Sequence, residues 1–289
     1  MRFHTALCDV LGIEYPIIQS GMGSVAGPDL AAEVSRAGGL GVVGGLNQPP
    51  DELRKRIRYV RERTDRPFGV NLWLHTELRP PVDPKAIPPA TVAAVQSTLN
   101  RFRARLEIPA ATAAPRPAPD LVDAGLEVIL EERVPVFSAA IGVPGADMVA
   151  RCHDRGVKVL SMVATVQDAR DAAANRVDAI VAQGGEAGGH RSVAAKPANP
   201  EVAMVGTMAL VPQIVDVVRV PVVAAGGLAE GVPAKPGLGG RSGAQVPGPG
   251  RHSYGRGHHR QGRGGRRRAG AGPACERPPG PGRQHHLSA

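Results

Sequence analysis

The sequence repeats one pattern along most of its length, a short apolar segment followed by a segment with helical periodicity. Seven such apolar segments, bounded by glycine or proline, are predicted to be strands. Strands that are apolar throughout, and not only at alternate positions, are typical of a parallel sheet covered on both faces. The predicted strands span residues 15–19, 40–43, 68–73, 134–139, 157–163, 177–181 and 220–225.

Helices are predicted between most of these strands, and Asp51 is the expected N-cap of the second one. Seven βα units with polar and glycine-rich strand ends favour an α/β fold, an incomplete (β/α)8 barrel of the TIM type. Its site would lie at the carboxyl ends of the strands. A doubly wound sheet is the alternative topology. The predicted helices span residues 28–36, 52–63, 120–132, 146–155, 165–175 and 207–218.

Residues 76–120 interrupt this repetition. They contain nine prolines around one further predicted helix, residues 90–105. We interpret the segment as an insertion that lies over one face of the barrel.

The repetition stops at Gly231, which separates a predicted domain, residues 1–231, from a tail, residues 232–289. The tail holds 15 Gly, 10 Arg and 8 Pro but only four Val, Leu or Ile. A segment of this composition cannot bury a strand or a helix, so we expect a disordered, basic tail. We favour an out-of-frame translation of GC-rich DNA, because the barrel pattern halts before its eighth unit. A functional tail that binds nucleic acid or anionic surfaces is the alternative.

The charge of the chain is concentrated in the tail. Residues 1–231 hold 24 of the 35 Lys and Arg and 25 of the 26 Asp and Glu, so their formal charge is −1, whereas the tail carries +10. A nearly neutral domain argues against a nucleic-acid or membrane surface on it.

The cysteine content and the apolar runs indicate a cytoplasmic protein. Cys8, Cys152 and Cys275 are widely spaced and odd in number, so they predict neither a metal site nor a disulfide framework. A basic segment followed by an apolar run is not found at the N-terminus, and we expect no signal peptide. Nor does any apolar stretch reach the length of about 18 residues that a membrane span requires.

The sixth predicted strand leads into an unusual segment, Val181-Ala-Gln-Gly-Gly-Glu-Ala-Gly-Gly-His190. Glycine at this density allows a backbone to approach a ligand closely. A histidine at the carboxyl end of a strand lies where α/β enzymes place their chemistry. The segment therefore predicts a catalytic site, and the alternative is an ordinary βα turn with a bystander histidine.

Five sequence blocks occur together in a fixed order. They begin at Leu11 (LGIEYPIIQSGM), Phe68 (FGVN), Ala182 (AQGGEAGGHR), Met208 (MALVPQIVD) and Pro221 (PVVAAGGL). Residues 8–231 thereby strongly resemble the nitronate monooxygenase (2-nitropropane dioxygenase-like) family of FMN-dependent (β/α)8 barrels. The related flavin-dependent enoyl-acyl-carrier-protein reductases share most of the blocks, but the long insertion is more similar to the monooxygenases.

The resemblance implies a function and a catalytic base. His190 matches the family's base, which takes the α-proton of a nitroalkane to give a nitronate. The near-neutral intrinsic pKa of histidine side chains suits this step. Electrons would then pass to FMN and on to O2, which gives a carbonyl compound and nitrite. The implied partners are a small nitronate or nitroalkane and O2, with neither nucleic acid nor a membrane; the oligomeric state is left open.

The resemblance also implies a set of FMN contacts. Gln183 would place its amide against the pyrimidine edge of the flavin. For Asn71 a turn cap is the alternative role, and for Met22 a core position. Glu186 is expected to orient the loop, with a catalytic role as the alternative, and His75 and His153 are assigned no role. The implied FMN-binding residues are Gly21, Met22, Asn71, Gln183, Gly188, Gly189, Gly226 and Gly227, of which the last two would offer backbone amides to the phosphate.

One departure from the family bears on function. Family members continue into an eighth strand whose Gly-Thr turn completes the phosphate site, and this chain continues instead into its basic tail. We therefore expect an open edge between the seventh and first strands, poor stability, and weak or absent FMN binding. An NAD(P)H-dependent flavin reductase on the same barrel, acting on a quinone or an enoyl thioester, is the alternative enzyme. A basic-tailed binding protein is the alternative without catalysis.

Overall fold

The seven predicted strands lie in one sheet, in which each strand pairs with its neighbours in the sequence. In the computed structural model, β1 to β7 are parallel and follow one another in chain order. A doubly wound sheet would reverse its order at a switch point, so that alternative is wrong. The sheet curls into part of a barrel with helices between its strands, which confirms the predicted incomplete TIM-type barrel. The strands are β1 Ile18–Gln19, β2 Leu40–Gly44, β3 Phe68–Trp73, β4 Val136–Ala140, β5 Lys158–Val163, β6 Ala179–Gln183 and β7 Val222–Ala225.

The helices agree with prediction to within a few residues, except at the start of the chain. The six-residue α1 was not predicted. The proposal that Asp51 caps α3 is wrong, because Pro49 occupies the N-cap and Asp51 lies inside the first turn. The helices are α1 Ala6–Leu11, α2 Pro28–Arg36, α3 Pro50–Arg61, α4 Pro89–Arg105, α5 Val122–Glu131, α6 Ala146–His153, α7 Val166–Ala174 and α8 Thr207–Val217, with short 3-10 helices at Pro84–Ala86 and Pro200–Ala203.

The structure describes residues 4–23, 25–74, 83–112, 119–195, 199–228 and 244–246. Residues 1–250 belong to one compact unit, and a second unit, residues 251–289, falls outside the described ranges. The predicted insertion is described only in part. Its helix α4 carries no buried residue, and its position over a barrel face stays a prediction.

Both faces of the sheet are buried, which explains why its strands are apolar throughout. Phe137 and Ile180 belong to a cluster with Leu53 of α3, on the face that the helices cover. Leu160 and Val181 belong to a second cluster on the other, concave face. Because successive side chains of a strand point to opposite faces, two clusters require apolar residues at nearly every position.

Helix α1 packs into the concave face at one end of the strands. Leu7 and Leu11 are buried in the same cluster as Leu40 and Val136, which are the first residues of β2 and β4. Helix α1 therefore covers the amino ends of the strands, and the carboxyl ends are left for a site.

The tail contributes one strand that its composition did not predict. Residues Ala244–Val246 form β8, which pairs with Val222–Ala224 of β7 in the antiparallel direction. The expectation that no part of the tail forms a strand is therefore wrong for these three residues. Its direction differs from that of a closing barrel strand, and within the described ranges β1 pairs only with β2.

Candidate active site

The predicted site residues gather at the carboxyl ends of the parallel strands. Gly21 and Met22 follow β1, Asn71 lies in β3, Gln183 ends β6, and Gly226 follows β7. The glycine-rich segment, residues 184–190, lies directly after β6 and is called the β6 loop below. The strand order thus brings together residues that are about 200 positions apart in the sequence.

Asn71 is buried inside β3, so the turn-cap alternative is wrong. Its Nδ2 donates to the carbonyl oxygen of Ser138 at 2.9 Å and contacts Ser138 Oγ at 3.2 Å. Gly21 lies directly against it, because a Cβ at Gly21 would come within 2.6 Å of the Asn71 Cβ. The loop after β1 is therefore fixed by close packing on the Asn71 side chain.

Met22 lies beside this contact and is 46% exposed. A core methionine would be buried, so the core alternative is wrong. An exposed apolar side chain at the carboxyl end of the barrel provides a surface for a ligand.

Gln183 is 3% exposed, and its amide holds the loop that follows it. Its Nε2 donates to the carbonyl oxygen of His190 at 2.8 Å, and its Oε1 accepts from the backbone amide of Ser192 at 2.8 Å. An amide has a second N–H and a second lone pair, so Gln183 can still bond a flavin while it makes these two hydrogen bonds. That contact stays a prediction.

The glycines around the β6 loop divide into two groups, and the first group packs against protein. A Cβ at Gly184 would lie 1.9 Å from Thr207 Oγ1, and one at Gly226 would lie 2.5 Å from the backbone nitrogen of Ala187. Gly226 also has a φ of +108°, which side chains rarely tolerate. These glycines are required by packing within the chain.

The second group faces open space. A Cβ at Gly188 or Gly189 would meet no atom within 4 Å. Packing does not explain glycine at these two positions, although Gly189 has a φ of +82°. Their bare backbone is available to a flat ligand at the carboxyl ends of the strands.

Glu186 orients the loop, as the sequence predicted. Its carboxylate accepts from the backbone amide of Thr207 at 2.7 Å and from the Thr207 hydroxyl at 2.9 Å, at the start of α8. The backbone hydrogen bond from Thr207 holds the pKa of Glu186 below its ordinary value. This carboxylate already occupies the amino end of α8, where a ligand phosphate would otherwise be favoured.

Arg191 also stabilises the loop and was missed by sequence reasoning. Its guanidinium donates to the carbonyl oxygens of Gly184 at 2.6 Å and Ala187 at 2.7 Å. Burial lowers the pKa of Arg191 from its ordinary value. Its position next to His190 in the glycine-rich block was the only available signal.

His190 is exposed at the end of the loop, and its ring lies against Trp73 of β3. The two ring centroids are 4.6 Å apart and the planes are tilted by 55°, a separation typical of paired aromatic rings. His153, which was assigned no role, ends α6 and pairs with Asp178 at 2.8 Å. His75 lies outside the described residues.

The described part of the chain offers neither a metal-binding cluster nor a membrane-spanning helix. It holds no group of three or more His, Cys, Asp or Glu side chains that is placed to bind a metal ion. Nor does any helix there have the length and apolarity to cross a membrane.

Comparison with known proteins gives the family. Residues 4–246 match the nitronate monooxygenase family. A probable nitronate monooxygenase of Staphylococcus saprophyticus is 34% identical over 231 residues, which are 80% of this chain and 63% of that protein. One from Staphylococcus aureus strain MSSA476 is 36% identical over 230 residues, 78% of this chain and 61% of that protein.

Two solved structures are similar to this chain in both fold and sequence. A nitroalkane oxidase from Streptomyces ansochromogenes superimposes with a TM-score of 0.65 and 32% identity, over 76% of this chain and 60% of that one. FabK from Thermotoga maritima does so with a TM-score of 0.58 and 32% identity, over 79% and 56%. The chain spans less than two thirds of the length of these relatives. With the family's sequence blocks, barrel order and β6 loop all present, the chain belongs to the nitronate monooxygenase family.

Proposed function

We propose that this protein is an FMN-dependent oxidoreductase that oxidises nitronates and nitroalkanes with O2, releasing a carbonyl compound and nitrite. The observation that carries the proposal is the position of His190. It is an exposed imidazole at the carboxyl ends of the strands, beside open backbone at Gly188 and Gly189 and against the Trp73 ring. The likeness to a nitroalkane oxidase at 32% identity supports the substrate class.

The described residues fit the ring end of a flavin. A planar ring has access to the backbone at Gly188 and Gly189, where a Cβ would meet no protein atom within 4 Å. The buried amides of Asn71 and Gln183 lie at the same end of the sheet, and Met22 adds an apolar contact. Bound there, FMN would accept electrons from the substrate and pass them to O2.

The phosphate end is only partly described. We assign it the backbone amides of Gly226 and Gly227, as in barrels that bind phosphate after the seventh and eighth strands. Gly21 is the last of the proposed FMN-binding residues. Because it has no Cβ, the loop after β1 can lie directly against Asn71. Because β8 runs antiparallel to β7, this chain offers no parallel eighth strand among its described residues to complete the cradle. We therefore expect FMN to bind weakly.

His190 would act as the general base. Its imidazole takes the proton from the α-carbon of a nitroalkane, and the electron pair of the broken C–H bond moves onto the nitro group to give the nitronate. The loop bonds from Gln183 and Arg191 hold the backbone around His190, so the ring need not be ordered by the substrate. The adjacent Trp73 ring provides an apolar wall for the alkyl part of the substrate.

The test is anaerobic mixing of the full chain, supplied with excess FMN, with a primary nitronate and, separately, with NADH. We expect the nitronate to bleach the bound flavin and NADH to leave it oxidised. On admission of O2, the nitronate reaction should release nitrite. Bleaching by NADH alone would contradict the proposal.

The second candidate is an NAD(P)H-dependent flavin reductase on the same barrel. The likeness to FabK at a TM-score of 0.58 favours it specifically. The same mixing experiment separates the two functions, because each predicts a different electron donor.

A cytoplasmic location is part of the proposal. Cys8 and Cys152 are both buried free thiols, which suits a reducing compartment. Burial raises the pKa of Cys152 to about 11, so this thiol stays protonated and unreactive at neutral pH.

A further inference from the structure

Ser192, two residues after His190, uses all its polar atoms in hydrogen bonds to the ends of three strands. Its side chain is almost completely buried, with 1% exposure. Its backbone amide donates to Gln183 Oε1 at 2.8 Å, and its carbonyl oxygen accepts from the amide of Ala164 at 2.9 Å. These bonds reach the end of β6 and the residue after β5.

The Ser192 hydroxyl makes a bridge between β4 and β5. It donates to the carbonyl oxygen of Met162 at 2.7 Å and accepts from the amide of Ile141 at 2.8 Å. Ile141 directly follows β4 and has a φ of +53°, a conformation that is uncommon for a β-branched residue. The hydroxyl thus satisfies a backbone amide where β4 turns sharply.

The same contacts fix the backbone of His190. Gln183 binds the carbonyl oxygen of His190 with its Nε2 and the amide of Ser192 with its Oε1, so the chain is held on both sides of Arg191. The His190 ring is exposed, but the backbone that carries it is attached through Ser192 to the rigid sheet. The ring lies 4.6 Å from that of Trp73.

We propose that Ser192 is a positioning residue, whose hydroxyl ties the β6 loop to the ends of β4 and β5 and thereby holds His190 against Trp73. The catalytic consequence rests on the proposed function, in which His190 takes the α-proton. A base displaced by about 1 Å costs up to about 10²-fold in rate. The structural consequence, the His190–Trp73 contact, is independent of the reaction.

The contact can be followed without flavin, because Trp73 is the only tryptophan among the 289 residues. An imidazole in contact with an indole quenches the fluorescence of the indole. The Trp73 fluorescence of the flavin-free full chain is therefore compared with and without His190→Gln, in the wild type and in each variant at one fixed pH. The gain in fluorescence on His190→Gln is the His190-dependent quench, and it reports the His190–Trp73 contact.

The variants are Ser192→Ala, which removes the bridge, and Ser192→Cys, which keeps a weaker donor and acceptor at nearly the same size. The matched control is Ser161→Ala. Ser161 is a buried serine of β5 whose hydroxyl has no hydrogen-bond partner among the described residues. All variants are compared by thermal unfolding, by the His190-dependent quench and, with excess FMN, by turnover of a nitroalkane and of its preformed nitronate.

For Ser192→Ala we expect the His190-dependent quench to fall at least about twofold and nitroalkane turnover to fall about 10- to 100-fold. Nitronate turnover should fall less, because a nitronate has already lost its α-proton. Ser192→Cys should be intermediate, and Ser161→Ala should match the wild type in both readouts. If Ser192→Ala does not fold, Ser192→Cys carries the same comparison.

A purely structural role gives a different result. The positioning role is overturned if either Ser192 variant folds and lowers the unfolding temperature while the quench and the nitroalkane-to-nitronate ratio stay at wild-type values. Failure of the proposed function is distinguishable from this, because then His190→Gln itself shows no loss specific to the nitroalkane, while the quench still tests the position of His190.

Discussion

The two sides of the candidate site are built differently. On the side of β4 to β6, side-chain hydrogen bonds from Gln183, Arg191 and Ser192 hold the β6 loop to the sheet. On the other side, β1 has two residues and β8 has three, and β8 runs antiparallel to its neighbour. Within the described ranges, the first side is complete and the second is not closed.

This difference separates the proposed base from the proposed phosphate contacts. His190 belongs to the complete side, so its position does not depend on an eighth parallel strand. The phosphate contacts assigned to Gly226 and Gly227 belong to the other side. If the proposed function holds, we expect His190 to be in place for proton abstraction and FMN to bind weakly.

The contrast between the two sides should be most visible in hydrogen exchange of the full chain. The amides of Gly184 and Ser192, bonded to Ala225 O and Gln183 Oε1, should exchange on the order of 10³-fold more slowly than those of β8. Mass spectrometry of peptides that cover residues 179–195 and 240–250 measures the exchange rates of the two segments. Equal rates would remove the contrast between the two sides.

A pair of glycine substitutions sharpens the same contrast. Gly226→Ala should destabilise the fold by about 1–3 kcal/mol, because the new Cβ meets the Ala187 backbone at 2.5 Å and φ is +108°. Gly188→Ala, which enters open space, should leave the stability nearly unchanged and weaken FMN binding. Urea unfolding and FMN titration of each variant check this. Equal stability of the two variants would contradict the division of the glycines into packed and open groups.

A smaller effect, on the pH dependence of stability, is expected from Asp178 at the amino ends of β5 and β6. Burial would raise the pKa of Asp178, but hydrogen bonds from the Val159 amide, His153 and Lys158 outweigh it and hold the pKa below its ordinary value. Since the folded-state pKa is the lower one, this stabilisation is present above the unfolded pKa of about 3.9 and is lost as the pH falls through the folded value.

Asp178→Asn should therefore flatten the acid side of the stability profile and lower the stability at neutral pH. Urea unfolding of the wild type and the variant, from about pH 7 down to pH 3, measures both. The exposed pair of His4 with Asp9, at 2.7 Å, provides a control in Asp9→Asn, for which little change is expected. If the stability of the wild type and of Asp178→Asn changed in the same way with pH, folding would not favour the charged form of Asp178.

Much of the fold was predictable because each strand carries its pattern of apolar residues within its own short segment of sequence. A strand buried on both faces is apolar throughout, so β2 to β7 were found to within about three residues. Helix α1 was missed because six residues without a side-chain cap give too little periodicity. The antiparallel β8 was missed because its strand partner in β7 lies about 20 residues away and its own composition is that of the tail.

The candidate site was predictable in membership but not in connection. The sequence blocks predicted that Asn71, Gln183 and His190 lie together at the carboxyl ends of the strands, and they do; their roles stay predictions. The hydrogen bond from the Ile141 amide to Ser192 spans 51 positions and leaves no local pattern. Nor does the sequence distinguish Gly226, which is needed for packing, from Gly188, which is not. Such differences arise only when distant strand ends meet.

The most direct test of the account compares a nitroalkane with its preformed nitronate as substrates of wild type and His190→Gln, both with excess FMN. The account predicts a loss of about 10²–10⁴-fold in nitroalkane turnover, with nitronate turnover largely retained because its α-proton is already gone. The exposed His4→Gln is the control and should match the wild type on both substrates. Equal losses on both substrates, or none on either, would contradict the assignment of His190 as the base.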